Sequence, residues 1–172
     1  MRRARAARFA ALSIGLAGAA ALSGCGMSLP FMSSKPAVPC PSAVILRPLA
    51  NTAIFGPAAE RRPDNVAFYG ILSEVDAKCV FAGDSVHETL DVIVVGERAP
   101  AAHGDSADFT YFLAVTGPGQ AVLSKKSFTV RIAIPPGEKR SGVTDHIEEV
   151  IPLGGHAGSD LNIRLGFQQT PE

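Results

Sequence analysis

Residues 85–97 read SVHETLDVIVVGE, with Val86, Leu90, Val92 and Val94 on one side and His87, Thr89, Asp91, Ile93 and Val95 on the other. A period of two sustained over that length requires an extended chain and rules out an amphipathic helix, whose apolar residues return every three or four positions. The same period recurs. Phe109, Tyr111, Leu113 and Val115 alternate with Thr110, Phe112 and Ala114, and Phe128, Val130, Ile132 and Ile134 alternate with Ser127, Thr129, Arg131 and Ala133. Leu161, Ile163, Leu165 and Phe167 form a last alternating segment. Residues 66–76 alternate too, with Tyr69, Ile71, Ser73 and Val75 on one side and Phe68, Gly70, Leu72 and Glu74 on the other.

Shorter extended segments precede and separate these. Residues 42–47 (SAVILR) lie between prolines and suit an edge strand, which residues 51–55 are expected to continue. Residues 143–151 are a less regular strand candidate, because Asp145 and Glu149 share a face with Val143, Ile147 and Ile151; a helix is the alternative there, against which the β-branched residues and Pro152 argue. Pro118-Gly119 suits the centre of a type II turn, since proline presets the first φ and glycine accepts a positive second one. The turn predicts a hairpin between the flanking segments. Seven or eight strands with Gly/Pro turns and no helix in the body predict an all-β protein. The expected fold is a single antiparallel β-sandwich, immunoglobulin-like or fibronectin-III-like in arrangement.

Ahead of this body lies a basic, apolar leader. Arg2, Arg3, Arg5 and Arg8 precede the apolar run 9–22, which is shorter than the roughly 20 residues a membrane-spanning helix needs. The leader closes on Leu22-Ser23-Gly24-Cys25, which resembles the signal of bacterial lipoprotein precursors. That resemblance implies cleavage before Cys25 and a diacylglyceryl thioether on its sulfur. The new amino group is then usually acylated, with palmitate or a similar chain. Each buried acyl methylene contributes about 0.8 kcal/mol, so two or three chains hold a protein firmly while one does not. Gly26 and Met27 follow the cysteine. Neither is the aspartate that holds enterobacterial lipoproteins in the inner membrane, so the outer membrane is the preferred destination.

The expected organisation is a signal peptide over residues 1–24 and a lipidated N-terminus with a Pro/Ser-rich tether over 25–41. A β-sandwich over 42–169 and a short tail over 170–172 complete it. The tether, GMSLPFMSSKPAVPCP after Cys25, has the composition of a semi-extended spacer. With Cys25 lipidated, Cys40 and Cys79 form an even pair in an oxidising compartment and are read as a disulfide. A metal pair or a reactive thiol is the alternative, against which neither cysteine lies in a CxxC or has a histidine at ligand spacing.

Charge removes one function class. The whole chain carries 16 basic and 16 acidic side chains; cleavage takes away four arginines and leaves an excess of four acids. Such a surface does not attract nucleic acid. Catalytic signatures are also missing from the sequence. His87, His103, His146 and His156 are scattered without HxH or HExxH spacing, and no G-x-S-x-G elbow is present. The glycine-rich run 154–159 lacks the lysine of a phosphate loop and leads into a strand. Glu148 and Glu149, adjacent on a strand, are expected to face opposite ways, and Lys125-Lys126 to solvate a strand or protect an edge. No catalytic, cofactor-binding or metal-binding residue is therefore nominated.

Residues 112–137 (FLAVTGPGQAVLSKKSFTVRIAIPPG) and the ending 163–172 (IRLGFQQTPE) resemble small, uncharacterised alphaproteobacterial envelope lipoproteins. That resemblance implies an envelope location and one β-rich domain, and it transfers no catalytic residue. The expectation is a membrane-anchored, periplasm-facing, non-enzymatic module that binds an envelope protein or organises an envelope complex. A binding module for a small hydrophobic or lipid ligand is the second reading, and an enzyme with an unmarked site the third.

Overall fold

The computed structural model describes residues 38–57 and 61–169. Cys25, the leader, most of the tether and residues 170–172 lie outside the described residues. Among the described residues eight strands run in chain order: β1 (Ser42–Ile45), β2 (Asn51–Phe55), β3 (Val66–Ala82), β4 (Ser85–Arg98), β5 (Ser106–Thr116), β6 (Val122–Ala133), β7 (Arg140–Pro152) and β8 (Asn162–Phe167). They form two four-stranded sheets, ordered β1-β8-β5-β6 and β2-β3-β4-β7, packed face to face as a β-sandwich. All neighbours are antiparallel except β1, the expected edge strand, which runs parallel to β8.

Alternation places the core. Val86, Leu90, Val92 and Val94 of β4 point inward against Phe109, Tyr111 and Leu113 of β5, and the intervening His87 and Thr89 face water. In β5 the second face is buried as well, because the strand is central and its outward Phe112 lies beneath the Lys125 ammonium, 4.3 Å from the ring centre. The Pro-Gly hairpin forms as expected. Gly119 adopts φ 66°, and the N–H of Gln120 donates to the carbonyl of Gly117 across 3.1 Å.

Two expectations about register change. Residues 51–55 do not continue β1, because the turn Arg47–Leu49, with Pro48 inside it, carries the chain from the first sheet to the second. In β3 the pairing moves from Leu72 opposite Val94 to Glu74 opposite Ile93, leaving Ser73 as an extra, unpaired residue. One inserted residue reverses every side chain beyond it. Phe68 and Leu72 face the core before this bulge. Val75, Ala77, Cys79 and Phe81 face it afterwards, so Val75 lies on the side opposite to that expected from uninterrupted alternation.

At one point the two sheets approach with no side chain on one of them. Gly70 and Gly96 are directly opposed on β3 and β4, and the Phe109 ring of the facing sheet rests on the pair. A Cβ on Gly70 would stand 2.5 Å from Phe109 Cδ1. The Phe167 ring lies beside Phe109, with centroids 6.2 Å apart.

Polar side chains close the side of the sandwich where the edges β6 and β7 meet. The Tyr111 hydroxyl donates to Asp145 Oδ2 at 2.6 Å, linking the sheets from within, and Lys126 Nζ donates to Glu149 Oε2 at 2.6 Å. Burial, reinforced by the Asp145 carboxylate, pushes the Tyr111 phenol far above its ordinary value and keeps it a donor.

Candidate functional site

The inward alternation of β4 runs Val86, Glu88, Leu90, and the carboxyl at its middle is the least expected group in the core. Glu88 is 1% exposed, and neither of its oxygens has a hydrogen-bond partner. An acidic side chain is rarely buried so completely unless paired. The period-two reading already implied its position: a strand that buries Val86 and Leu90 must bury the residue halfway between them.

Glu88 belongs to a row that crosses the second sheet. Cys79 of β3 is its register partner on one side and Glu149 of β7 on the other. Cys79 is bonded to Cys40, with Cα atoms 5.8 Å apart, so the expected disulfide is formed. It pins the segment ahead of β1 to β3 of the opposite sheet. Cys40 is exposed, Cys79 half-buried and Glu88 buried, and one donor atom from each lies within 4.8 Å of the other two. The two sulfurs are bonded to one another, so neither is a thiolate open to a cation. Glu148 and Glu149 face opposite ways as expected, Glu148 outward and Glu149 inward to meet Lys126. Lys126 thus sits on an edge strand, as anticipated, but spans to the other sheet.

Burial raises the Glu88 carboxyl from 4.5 to about 7. Glu149, its register neighbour on β7, is bonded to Lys126. The folded protein therefore retains a proton that the unfolded chain loses. The Glu88 contribution to stability is fully present below the unfolded carboxyl's range and is lost as pH rises from about 4.5 through about 7. We predict that Glu88→Gln matches the wild type near pH 4.5 and is more stable above pH 7, by on the order of 2–3 kcal/mol. Urea unfolding of both proteins at the two pH values measures this; an equal difference at each would refute a neutral, buried Glu88.

The four histidines do not converge. His87 faces outward from β4, His146 faces outward from β7 beside Asp91, and His103 and His156 lie in separate connections. The glycine-rich loop passes through Gly154 and Gly155, both at positive φ, and a single 3-10 turn at Gly158–Asp160 into β8, so no α-helix begins there.

Two surface features stand near the Glu88 row. On the outer face of the second sheet Val80, His87 and Val150 form one cross-strand row, with Val80 70% and Val150 57% exposed. Between β6 and the end of β7 is a half-open groove of about 370 Å³, lined by Val115, Leu123, Ile151, Pro152, Leu153 and His156 among others. No family model, no curated protein and no solved structure matches the chain.

Proposed function

We propose that this chain is a cell-envelope lipoprotein, cut before Cys25 and anchored through that cysteine. Its β-sandwich then faces the periplasm and acts as a non-enzymatic module that binds another envelope protein. The outer membrane is the preferred membrane. The leader and its Leu22-Ser23-Gly24-Cys25 box support the anchor. The row Val80-His87-Val150 carries the binding role: two branched aliphatic side chains stand in water on a face whose other members are mostly polar. Among the described residues no helix is long and apolar enough to cross a membrane.

A photo-crosslinking residue in place of His87 is expected to capture one discrete protein in intact cells. The product should disappear when Val80→Asp and Val150→Asp are added. Capture of no protein, together with a lipid that copurifies with the sandwich, would overturn this reading. The groove beside Leu123 favours that second possibility, a module for a small hydrophobic ligand.

For the anchor we predict that Cys25→Ser leaves an uncut precursor without acyl chains, detected by intact-mass measurement and by membrane fractionation. A mature, normally processed Cys25→Ser product would show an ordinary secretory signal instead.

A further inference from the structure

The disulfide and the buried carboxyl beside it are unequal in their access to water, and that inequality has chemical meaning. Cys40 is exposed, Cys79 is half-buried, and the Glu88 carboxyl lies behind them with no hydrogen-bond partner, within 4.8 Å of both sulfurs. The groups facing Glu88 from neighbouring elements are the Cys79 sulfur on β3 and Glu149 on β7, the latter bonded to Lys126 of β6. We infer that Cys40–Cys79 is an exchangeable disulfide for a dithiol reductant, attacked at the exposed Cys40 sulfur, with Glu88 donating the proton that the departing Cys79 sulfur takes up.

Disulfide exchange proceeds by in-line attack of a thiolate, and it is faster when the leaving sulfur is a better leaving group. The first thiol of the reductant loses its proton to solvent, and its thiolate bonds to Cys40 Sγ. The Cys40–Cys79 bond breaks, and its electron pair goes to Cys79 Sγ, which receives the Glu88 proton. The second thiol of the reductant, as thiolate, then attacks the reductant's own sulfur in the mixed disulfide. Cys40 leaves and is protonated, and Glu88 regains a proton from solvent. Two electrons and two protons have passed from the dithiol to the cysteine pair, and the reductant has become a disulfide. Rotation of its own side chain brings Glu88 to the sulfur that leaves, because one of its oxygens already lies within 4.8 Å of it. A hydrogen bond to another side chain would hold the proton elsewhere. This chemistry is stoichiometric, one disulfide per chain, and goes beyond the binding role proposed above.

The test is the rate of reduction of the oxidised protein by dithiothreitol between pH 5 and 9, followed by the appearance of free thiols. For the wild type the logarithm of the rate should rise by one per pH unit, flatten around pH 7, where Glu88 loses its proton as fast as the reductant gains thiolate, and approach the Glu88→Gln rate above about pH 8. Glu88→Gln keeps the shape and removes the proton. Its rate should rise with unit slope up to the reductant's own pKa, and at pH 6 it should be about tenfold slower than the wild type or more. Equal rates in the two proteins at about pH 6, or a wild-type profile without flattening, would overturn the inference. Should Glu88→Gln not fold, the wild-type profile alone decides.

Discussion

Replacing both Cys40 and Cys79 with alanine should lower the stability of the sandwich by about 4 kcal/mol. The bond closes a loop with a sequence separation of 39 residues, and opening it returns that loop's conformational freedom to the unfolded chain. In the folded protein the bond reaches from the segment before β1, in the first sheet, to β3 in the second. β1 has four residues and one hydrogen-bonded neighbour, β8, and otherwise holds only through Ala43 and Ile45 packed against the core. For a domain of about 130 residues the loss corresponds to a fall in Tm on the order of 12–20 °C. Urea unfolding of the double variant and of the reduced wild type should agree, with a steeper urea dependence than the oxidised protein, because the unfolded chain without the cross-link exposes more surface. A loss below about 1 kcal/mol would mean that the disulfide adds little to the pairing of β1 with β8.

Phe109→Ala should cost about 3–5 kcal/mol, the usual range for removing a buried aromatic ring. The more specific prediction concerns its partner. Gly70→Ala puts a methyl group where Phe109 already is, 2.5 Å from Cδ1 and 2.9 Å from Thr52 Cγ2, and should cost about 1–3 kcal/mol by overpacking. Phe109 is almost wholly buried and has no room to step aside. With the ring gone, the added methyl instead fills part of the space left. The Gly70→Ala/Phe109→Ala protein should therefore be more stable than the sum of its single changes, by about 1 kcal/mol or more in a double-mutant cycle. Strict additivity would place the clash elsewhere and refute the glycine pair as the seat of the ring.

The fold class was legible because an alternating strand reports its own inward face, as β4 and β5 do. The positions of Glu88 and Glu149 were implied by the same rule. Their significance was not, since burial next to a disulfide arises only when β3, β4 and β7 stand side by side. The bulge at Ser73 escaped because a skipped residue leaves the local pattern on each side intact and alters only their relation. The passage from β1 to β2 escaped for a different reason. Both segments read as extended, and which sheet each joins depends on partners far along the chain: β8 for one and β3 for the other. The turn between β3 and β4 did carry a local signal, Gly83-Asp84, with Gly83 at φ 60°.

The position of the disulfide also decides how the domain answers a mechanical pull. Tension applied ahead of Cys40 passes through the Cys79 sulfur into β3, a strand of 17 residues paired with β2 on one side and β4 on the other. β1, lying beyond the cross-link, is shielded from that force. Once the bond is reduced, the same tension falls on β1, where four residues in parallel register with β8 must resist it in shear. Thiol chemistry at Cys40 would thus act as a mechanical fuse, converting a covalent connection into a weak hydrogen-bonded one.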